Sequence, residues 1–198
     1  MQNGRLIVLT GPSGVGKGTL LSSFLQHHPE LVLSVSVTTR SPRPGEVEGK
    51  SYFFVGLDKF QNMIESKELL EWAEYAGNFY GTPSIPVIEN IKQGKSVILE
   101  IELKGARQIQ NSFPDALRIF ILPPSTAELE KRLRGRGQDL EEAIAKRLQR
   151  GKEELEAAKE FDIQLVNDNL EDALQNLDRI LFHFSSSAEK PRALLSQL

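Results

Sequence analysis

The sequence has no cysteine among its 198 residues, which excludes disulfide bonds, cysteine ligands to zinc and a cysteine nucleophile. It also has little excess charge, since 24 lysines and arginines stand against 27 aspartates and glutamates, for a net charge of -3. Proteins that bind nucleic acid through a broad surface usually carry a strongly positive field. We therefore expect no nucleic-acid partner, and any phosphate binding has to come from local clusters of basic residues.

Long hydrophobic runs are also scarce. Near the start of the chain the apolar run extends only from Leu6 to Leu9, which is too short for a signal peptide or a membrane span. We therefore expect a cytoplasmic protein without a membrane partner. Hydrophobic residues make up 39% of the chain and charged residues 26%, a balance typical of a globular domain with one sizeable core.

Short apolar segments separated by helical patterns run along most of the chain. This alternation predicts an α/β fold in which a parallel sheet is covered by helices on both faces. The predicted strands of that sheet are Arg5–Gly11, Lys95–Leu103, Leu117–Pro124 and 161–168. The predicted helices are Lys17–His28, Ile85–Lys92, a helix capped by Ser125 or Thr126, Leu140–Glu160 and Leu170–Phe184.

The region Val35–Thr82 interrupts this alternation and is predicted to be an inserted lobe. Alternating valines and serines in the segment 31–40 predict one half-exposed strand, and Ser51–Val55 predicts a second, shorter one. Asp58 is the predicted N-cap of a helix. The segment NFYGTP at 78–83 is predicted to be loop, because it combines asparagine, glycine and proline.

The stretch GPSGVGKGT lies between a predicted strand and a predicted helix, and it is close to the phosphate-binding pattern G-x-x-x-x-G-K-[ST]. Glycines let the backbone turn its N–H groups toward an anion, and the helix adds the positive end of its dipole. A dinucleotide-binding G-x-G-x-x-G pattern fails, because Thr19 stands where its last glycine would be. The predicted ATP-binding loop comprises Gly11, Pro12, Ser13, Gly14, Val15, Gly16, Lys17, Gly18 and Thr19.

Gly18 stands where the usual loop has a serine or threonine whose hydroxyl binds magnesium. Because glycine has no hydroxyl, we expect magnesium to be held mainly by phosphates and water. The resulting Gly-Lys-Gly-Thr variant resembles the loop of nucleoside monophosphate kinases.

Further segments follow the loop in the order SVSVTTRSPRPGEVEGKSYFF, EWAEYAGNFYGTP and KRLRGRG, and together with it they resemble guanylate kinase over residues 4–184. The resemblance implies an α/β P-loop core of three layers with a parallel sheet, an inserted GMP-binding lobe and a helical lid. It also implies transfer of the γ-phosphoryl group from ATP to GMP (and to dGMP) in purine nucleotide metabolism, with Mg2+ as cofactor and no obligate protein partner.

On this resemblance the domain is divided along the sequence. The core comprises residues 1–34, 83–127 and 158–184, the GMP-binding lobe residues 35–82, and the lid residues 128–157. Residues 185–198 show no clear pattern and are predicted to form a mobile C-terminal tail outside the domain.

Basic and aromatic residues of the inserted lobe suit a phosphate monoester. Arg40 and Arg43 lie in a loop beside Tyr52, and two guanidiniums with a phenol form a good clamp for such a group. The resemblance implies that these residues and Tyr80 bind the phosphate of GMP.

The resemblance assigns guanine recognition to Glu71 and Ser36, with Thr82 nearby. Guanine presents N1–H and the 2-amino group as adjacent donors and O6 as an acceptor, so a carboxylate suits the donors and a hydroxyl suits O6. Adenine has an unprotonated N1, which would face Glu71 acceptor to acceptor. Without the resemblance, Glu71 would be predicted to be a solvated helix residue.

Glu100 and Glu102 end the predicted central strand, where parallel sheets bind ligands. The resemblance implies that Glu100 contacts the guanosine and that Glu102 lies near the phosphates and the metal, which it reaches through water. We therefore expect no direct metal ligand from a side chain. Many members of the family carry aspartate at both positions, and glutamate is longer by one methylene.

Basic residues also recur in the helical pair from Arg132 to Arg150. The resemblance implies that Arg132 and Arg147 close over the ATP phosphates and that Arg136 packs on the adenine. Phosphoryl transfer needs alignment and positive charge around the γ-phosphate. The predicted catalytic residues are therefore Lys17, Arg40, Arg132 and Arg147.

Two alternatives to this enzyme are open. A guanylate-kinase-like module that binds proteins would typically have a damaged ATP site, whereas here Lys17, the loop glycines and the lid arginines are all present. A kinase for another monophosphate is opposed by Ser36 and Glu71. An assay of ADP formation with different acceptors separates the three hypotheses.

Overall fold

The structure is a computed structural model, and it describes residues 4–135 and 141–183. The described residues form two compact units, one drawn from 4–8 and Glu30–Leu117 and the other from Leu9–Pro29 and the described residues from Arg118 onward. Of the predicted features, Arg136 and the tail at 185–198 lie outside the described residues.

Strands and helices alternate along most of the described chain. The strands are β1 (Leu6–Thr10), β2 (Val32–Leu33), β3 (Val37–Thr38), β4 (Phe53–Phe54), β5 (Leu69–Tyr75), β6 (Asn78–Pro83), β7 (Val97–Glu100), β8 (Leu117–Leu122) and β9 (Ile163–Val166). The helices are α1 (Lys17–His27), α2 (Leu57–Glu65), α3 (Ser84–Lys92), α4 (Leu103–Ser112), α5 (Thr126–Arg134), α6 (Glu141–Glu156) and α7 (Leu170–Asp178). A 3-10 turn at Ala157–Glu160 follows α6, and a π-helical turn at Arg179–His183 follows α7.

Within the described residues, the larger sheet has the strand order β2-β7-β1-β8-β9. β2 pairs with β7 in parallel, with Val32 opposite Val97. β8 pairs with β9 in parallel, with Ile119 opposite Ile163. Every residue of β1 is buried, as expected for a strand covered on both faces. The predicted parallel sheet of an α/β fold is thus confirmed.

The smaller sheet belongs to the first unit and has the strand order β4-β3-β6-β5 in the described part of the chain. β3 pairs in parallel with β4 and antiparallel with β6, and β6 pairs antiparallel with β5. The prediction of one strand over 31–40 is wrong, because β2 joins β7 in the larger sheet whereas β3 joins β6 in the smaller one. Local alternation cannot show which neighbour each half of such a segment will choose.

The prediction of a loop at NFYGTP is also wrong, because this segment forms β6. Its backbone pairs with β3 on one side and with β5 on the other. These pairings outweigh the low strand propensity of asparagine, glycine and proline. Gly81 suits the position, since a Cβ there would lie 2.9 Å from Leu69 Cδ1.

The helix ends agree only in part with the sequence. Ser125 caps α5, because its Oγ accepts the Glu128 N–H at 3.1 Å, and this prediction is confirmed. Asp58 is not the N-cap of α2; that position is Gly56, and Asp58 lies in the first turn, where a carboxylate faces the positive end of the helix dipole. Among the described residues, no helix is both long enough and apolar enough to cross a membrane.

Candidate active site

The loop from Gly11 to Gly16 connects β1 to α1 and turns through three glycines in unusual conformations. The φ angles of Gly11, Gly14 and Gly16 are 151°, 89° and 96°, which L-residues rarely adopt. Gly16 is the N-cap of α1, and a Cβ there would lie 2.7 Å from Asn167 Nδ2. Successive backbone N–H groups in such a turn form a concave binding site for anions at a helix N-terminus.

Lys17 is the first residue of α1 and folds back over this loop. Its Nζ donates to the carbonyl of Gly11 at 2.5 Å and to that of Pro12 at 3.3 Å. The ammonium is therefore held at the loop by two neutral acceptors. A phosphate oxygen, being charged, is a stronger acceptor than either carbonyl.

Asn167 and Arg132 brace the middle of the loop. Asn167 Nδ2 donates to the carbonyl of Val15 at 2.8 Å, and Arg132 Nη1 donates to the same carbonyl at 3.2 Å. Arg132 also donates to the carbonyl of Asn167 at 2.8 Å and to Glu128 Oε1 at 3.2 Å. The structure therefore places Arg132 at the predicted ATP loop, where backbone carbonyls and Glu128 accept its hydrogen bonds.

Asn167 was missed by the sequence analysis. It follows directly after β9, and a polar residue at the carboxyl end of a buried parallel strand is the sequence feature that could have indicated it.

Arg147 lies half-buried on α6. Thr19, the hydroxyl residue of the loop, is exposed in the first turn of α1.

In the first unit, Arg40 is held by Glu46 and by an aromatic ring. Its Nη2 and Nη1 donate to the two carboxylate oxygens of Glu46 at 2.8 and 3.0 Å, and its guanidinium lies 5.3 Å from the centre of the Tyr52 ring. The Arg40 guanidinium lowers the pKa of Glu46, and that carboxylate raises the pKa of Arg40. Tyr80 lies beside Tyr52, with the ring centres 6.0 Å apart.

Glu46 also organises the rest of this loop and was missed by the sequence analysis. Its Oε2 accepts the backbone N–H of Arg43 at 2.7 Å, so one carboxylate holds both predicted phosphate-binding arginines. The sequence feature that could have indicated Glu46 is the presence of a carboxylate three residues after Arg43 in a loop rich in proline and glycine. The exposed side chain of Arg43 lies at the surface of the same loop.

Glu71, Thr82 and Ser36 form a row across neighbouring strands. Glu71 on β5 is opposite Thr82 on β6, and the Thr82 hydroxyl donates to Glu71 Oε1 at 2.6 Å. Val37 on β3 is opposite Gly81, and extending that register by one residue sets Ser36 opposite Thr82. Residues directly opposite in a sheet present their side chains to the same face.

Glu71 is a buried carboxylate, so the solvated helix residue expected without the resemblance is wrong, whereas the guanine contact that the resemblance implies stays a prediction. It lies on a strand and is only 4% exposed, because helix α4 packs beside it. Gly105 of that helix comes so close that a Cβ would lie 2.8 Å from Glu71 Cδ. Burial raises the pKa of Glu71 to about 7; the hydrogen bond from Thr82 opposes the shift, and the negative charge of Glu102 adds to it.

Glu100 and Glu102 lie half-buried at the end of β7 and at the N-cap of α4. Burial raises the pKa of Tyr52, and the negative charge of Glu100 raises it further. Glu102 acts in the same way on Glu71. Glu100 is therefore electrostatically coupled to Tyr52, and Glu102 is coupled to Glu71.

Acidic side chains do not converge into a metal cage in the described part of the chain. Within residues 4–135 and 141–183, no group of three or more His, Cys, Asp or Glu side chains is arranged to hold a metal ion. A Mg2+ ion that keeps most of its ligands as water and phosphate oxygens needs no such group.

Comparison with known proteins identifies relatives of the whole described chain. The family model of guanylate kinase matches residues 3–184. A guanylate kinase from Trichodesmium erythraeum strain IMS101 is 81% identical over 93% of this chain and 99% of its own length. One from Nostoc sp. strain PCC 7120 is 66% identical over 91% of this chain and 90% of its own length.

A solved structure gives the same result for the fold. The crystal structure of guanylate kinase from Anaplasma phagocytophilum superposes with a TM-score of 0.76 and is 34% identical in sequence. The match covers 91% of this chain and 85% of that structure.

Proposed function

The chain belongs to the guanylate kinase family, an ATP:GMP phosphotransferase family, and on that premise we propose how its residues transfer the γ-phosphoryl group of ATP to GMP. The observation that carries the proposal is the row of Glu71, Thr82 and Ser36, in which Glu71 and Thr82 are buried and Ser36 is half-buried. A carboxylate that is 4% exposed is costly to maintain unless a ligand satisfies it. Guanine does so, because its N1–H and 2-amino group are adjacent donors.

The same row explains why guanine is preferred to adenine. Ser36 supplies the hydroxyl that we propose for O6 of guanine, while Glu71 accepts from N1–H and the 2-amino group. The Thr82 hydroxyl already donates to Oε1 of Glu71 at 2.6 Å and so fixes the orientation of the carboxylate. Adenine would bring an unprotonated N1 against this carboxylate, and two unpaired acceptors at a buried site are strongly disfavoured.

We propose that Arg40, Arg43, Tyr52 and Tyr80 bind the phosphate of GMP. Arg40 and the backbone of Arg43 are already organised by Glu46. The planar guanidinium of Arg40 has donors in addition to those that Glu46 uses, and it can therefore bind a phosphate without losing the carboxylate. Glu100, which is coupled to Tyr52, remains a predicted contact of the guanosine.

We propose that the loop from Gly11 to Thr19 binds the phosphates of ATP. Lys17 exchanges its two carbonyl acceptors for phosphate oxygens, and Arg132 and Arg147 add positive charge around the γ-phosphate. Arg132 is held against the loop through Val15, which supports its role directly. The roles of Arg136 on the adenine, of residues 35–82 as the GMP-binding lobe and of residues 128–157 as the lid stay predictions.

We propose that Mg2+ accompanies ATP and neutralises charge on the transferring phosphates. Gly18 offers no hydroxyl, so the ion keeps phosphate and water ligands, and Glu102 would reach it through water. This chain's own residues bind the two nucleotides and supply positive charge around their phosphates, and positioning and charge stabilisation are the main contributions that a protein makes to phosphoryl transfer.

A panel of acceptors tests the function. ADP formation from ATP and Mg2+ is measured with GMP, dGMP, IMP, AMP, CMP and UMP. We expect turnover with GMP and dGMP, because the base contacts do not involve the 2′-hydroxyl. We expect kcat/KM for AMP to be lower by roughly 10⁴-fold, the range found when a buried polar site is left unpaired. Equal turnover of AMP and GMP would overturn the role of Glu71, and no turnover with any acceptor would favour the protein-binding module.

Glu46→Gln tests how the phosphate clamp is organised. The amide can accept only one of the two Arg40 hydrogen bonds and carries no charge, so we expect the KM for GMP to rise roughly tenfold. The KM for ATP should stay within about twofold, since Glu46 contacts only the acceptor loop. Glu48→Gln is the matched control, because Glu48 accepts a backbone N–H of Phe54 at 2.9 Å instead. An unchanged KM for GMP in Glu46→Gln would show that the ion pair is incidental.

A further inference from the structure

The side chain of Gln108 occupies the free edge of the strand that carries Glu71. Within the described residues β5 is the last strand of its sheet, so alternate backbone groups face away from β6. At Trp72 both of these groups bond to one amide. Gln108 Nε2 donates to the Trp72 carbonyl at 2.6 Å, and Gln108 Oε1 accepts the Trp72 N–H at 3.2 Å. The amide thereby takes the place of a peptide group from a further strand.

The pairing of β5 with β6 is irregular just before Glu71 and regular from Glu71 onward. The register of β5 against β6 shifts between Leu69 and Glu71, which is the sign of a β-bulge. A bulge locally breaks the ladder and redirects the next side chains, and bulges occur frequently beside functional sites. The residue after the irregularity is Glu71, where regular pairing with β6 resumes. On the outer edge of β5 a second contact holds the backbone of the next residue, Trp72.

Helix α4 provides that hold at two positions on one face. Gly105 and Gln108 are three residues apart and are therefore neighbours on the helix surface. Gly105 leaves the space that the Glu71 carboxylate fills, since a Cβ there would lie 2.8 Å from Glu71 Cδ. Gln108 bonds to both peptide groups of Trp72, accepting the N–H of the Glu71–Trp72 peptide and donating to the carbonyl of the Trp72–Ala73 peptide. Gly105 therefore leaves room for the Glu71 carboxylate, and Gln108 holds the backbone beside it.

We propose that Gln108 is a positioning residue for base specificity, which acts by holding the backbone N–H and carbonyl of Trp72, next to Glu71, so that both carboxylate oxygens meet guanine. The proposal rests on the proposed role of Glu71. If this backbone is released, the carboxylate keeps its bond to Thr82 but is no longer held at a fixed depth. The contact to N1–H is then weakened, and the second contact, to the 2-amino group, is lost first.

Gln108→Met tests the proposal, because methionine keeps the length and helix propensity of glutamine but cannot bond to the peptide. The preference for GMP over IMP is the informative quantity, since IMP lacks only the 2-amino group. We expect the ratio of kcat/KM values for GMP and IMP to fall about tenfold in this variant, mainly through the KM for GMP. We expect kcat at saturating GMP and the KM for ATP to stay within about twofold.

Gln110→Met is the matched control on the same helix, because Gln110 is exposed. Gln108→Glu is the conservative variant, which can still accept the Trp72 N–H but cannot donate to its carbonyl. We expect a fall in the GMP-to-IMP ratio intermediate between the wild type and Gln108→Met. A ratio unchanged in both Gln108 variants would overturn the proposal, and so would equal losses for GMP and IMP.

The single tryptophan of the chain gives a readout that does not depend on turnover. Trp72 is the residue that Gln108 holds, so Gln108→Met should increase acrylamide quenching of its fluorescence in the folded protein, whereas Gln110→Met should not. Unaltered quenching in Gln108→Met would overturn the proposal. The proposed role of Glu71 is tested by a different variant. It is contradicted if Glu71→Gln, in otherwise wild-type protein, leaves the preference for GMP over IMP unchanged.

Discussion

Lys17→Ala is expected to lower kcat with GMP by roughly 10³-fold, the cost of removing one preorganised charge from a phosphoryl-transfer site. Lys17 is suited to this role by its position, since its Nζ already lies over the loop on the carbonyls of Gly11 and Pro12. In the complex with ATP the same ammonium can stabilise the negative charge that develops on the transferred group. Alanine removes the positive charge that Lys17 supplies at the loop.

The fold should survive this change, because Lys17 bonds to carbonyls of its own loop and fills no core position. We expect the midpoint of thermal unfolding to stay within a few degrees of the wild type. Lys152→Ala, at an exposed lysine of α6, is the control for loss of charge and should keep full turnover. Near-normal turnover in Lys17→Ala would remove Lys17 from the mechanism, and a loss of fold would appear in the unfolding scan.

The parts of the molecule that could be predicted from the sequence are those governed by local rules. The strands β1, β7 and β8 each contain a run of at least three consecutive buried residues, nearly all of them apolar, and the phosphate loop is a fixed spacing of glycines and lysine between a strand and a helix. Ser125 follows a local capping rule and does cap α5. In each of these cases the nearest neighbours in sequence are sufficient to specify the structure.

The inserted lobe could not be predicted in the same way, because its strands are specified by their partners. The asparagine, glycine and proline of β6 favour a loop locally, yet β3 and β5 pair with it on both sides. Without the family resemblance, Glu71 would be predicted to be a solvated helix residue, because its burial depends on Gly105 in helix α4, which was not predicted from the sequence. Gln108 and Glu46 act through contacts between segments, and a single sequence does not show such contacts.

Glu71→Gln is expected to raise the KM for GMP roughly 100-fold. Glutamine has the same shape, but its amide presents one acceptor and one donor where the carboxylate presents two acceptors. The donor would face the 2-amino group of guanine, and a charge-assisted hydrogen bond would be lost as well. Because the amide can also donate to N1 of adenine, we expect the disadvantage of AMP relative to GMP to shrink in the same variant.

The pH dependence of GMP binding should identify Glu71 as the acceptor. Its pKa is raised to about 7 by burial, and only the ionised carboxylate offers two acceptors. We expect the KM for GMP to rise about tenfold when the pH falls from 8 to 6. The phosphate of GMP titrates in the same range, so Glu71→Gln serves as the reference in which that contribution alone remains. A wild-type pH profile parallel to that of Glu71→Gln would contradict the assignment.

The same substitution should stabilise the free protein, because the charge of Glu71 is costly without a ligand. Its pKa rises from 4.5 in the unfolded chain to about 7 in the folded one, so the folded state binds the proton more tightly. The free energy of unfolding of the wild type therefore falls as the pH rises from about 4.5 to 7, by on the order of 3 kcal/mol, and stays lower above that range. Glutamine cannot ionise, so the advantage of Glu71→Gln in urea unfolding should grow across this interval and level off near pH 8. If Glu71→Gln is more stable than the wild type but binds GMP more weakly, the buried carboxylate is kept for recognition at the expense of stability. If the variant is less stable than the wild type at pH 8, this explanation is contradicted.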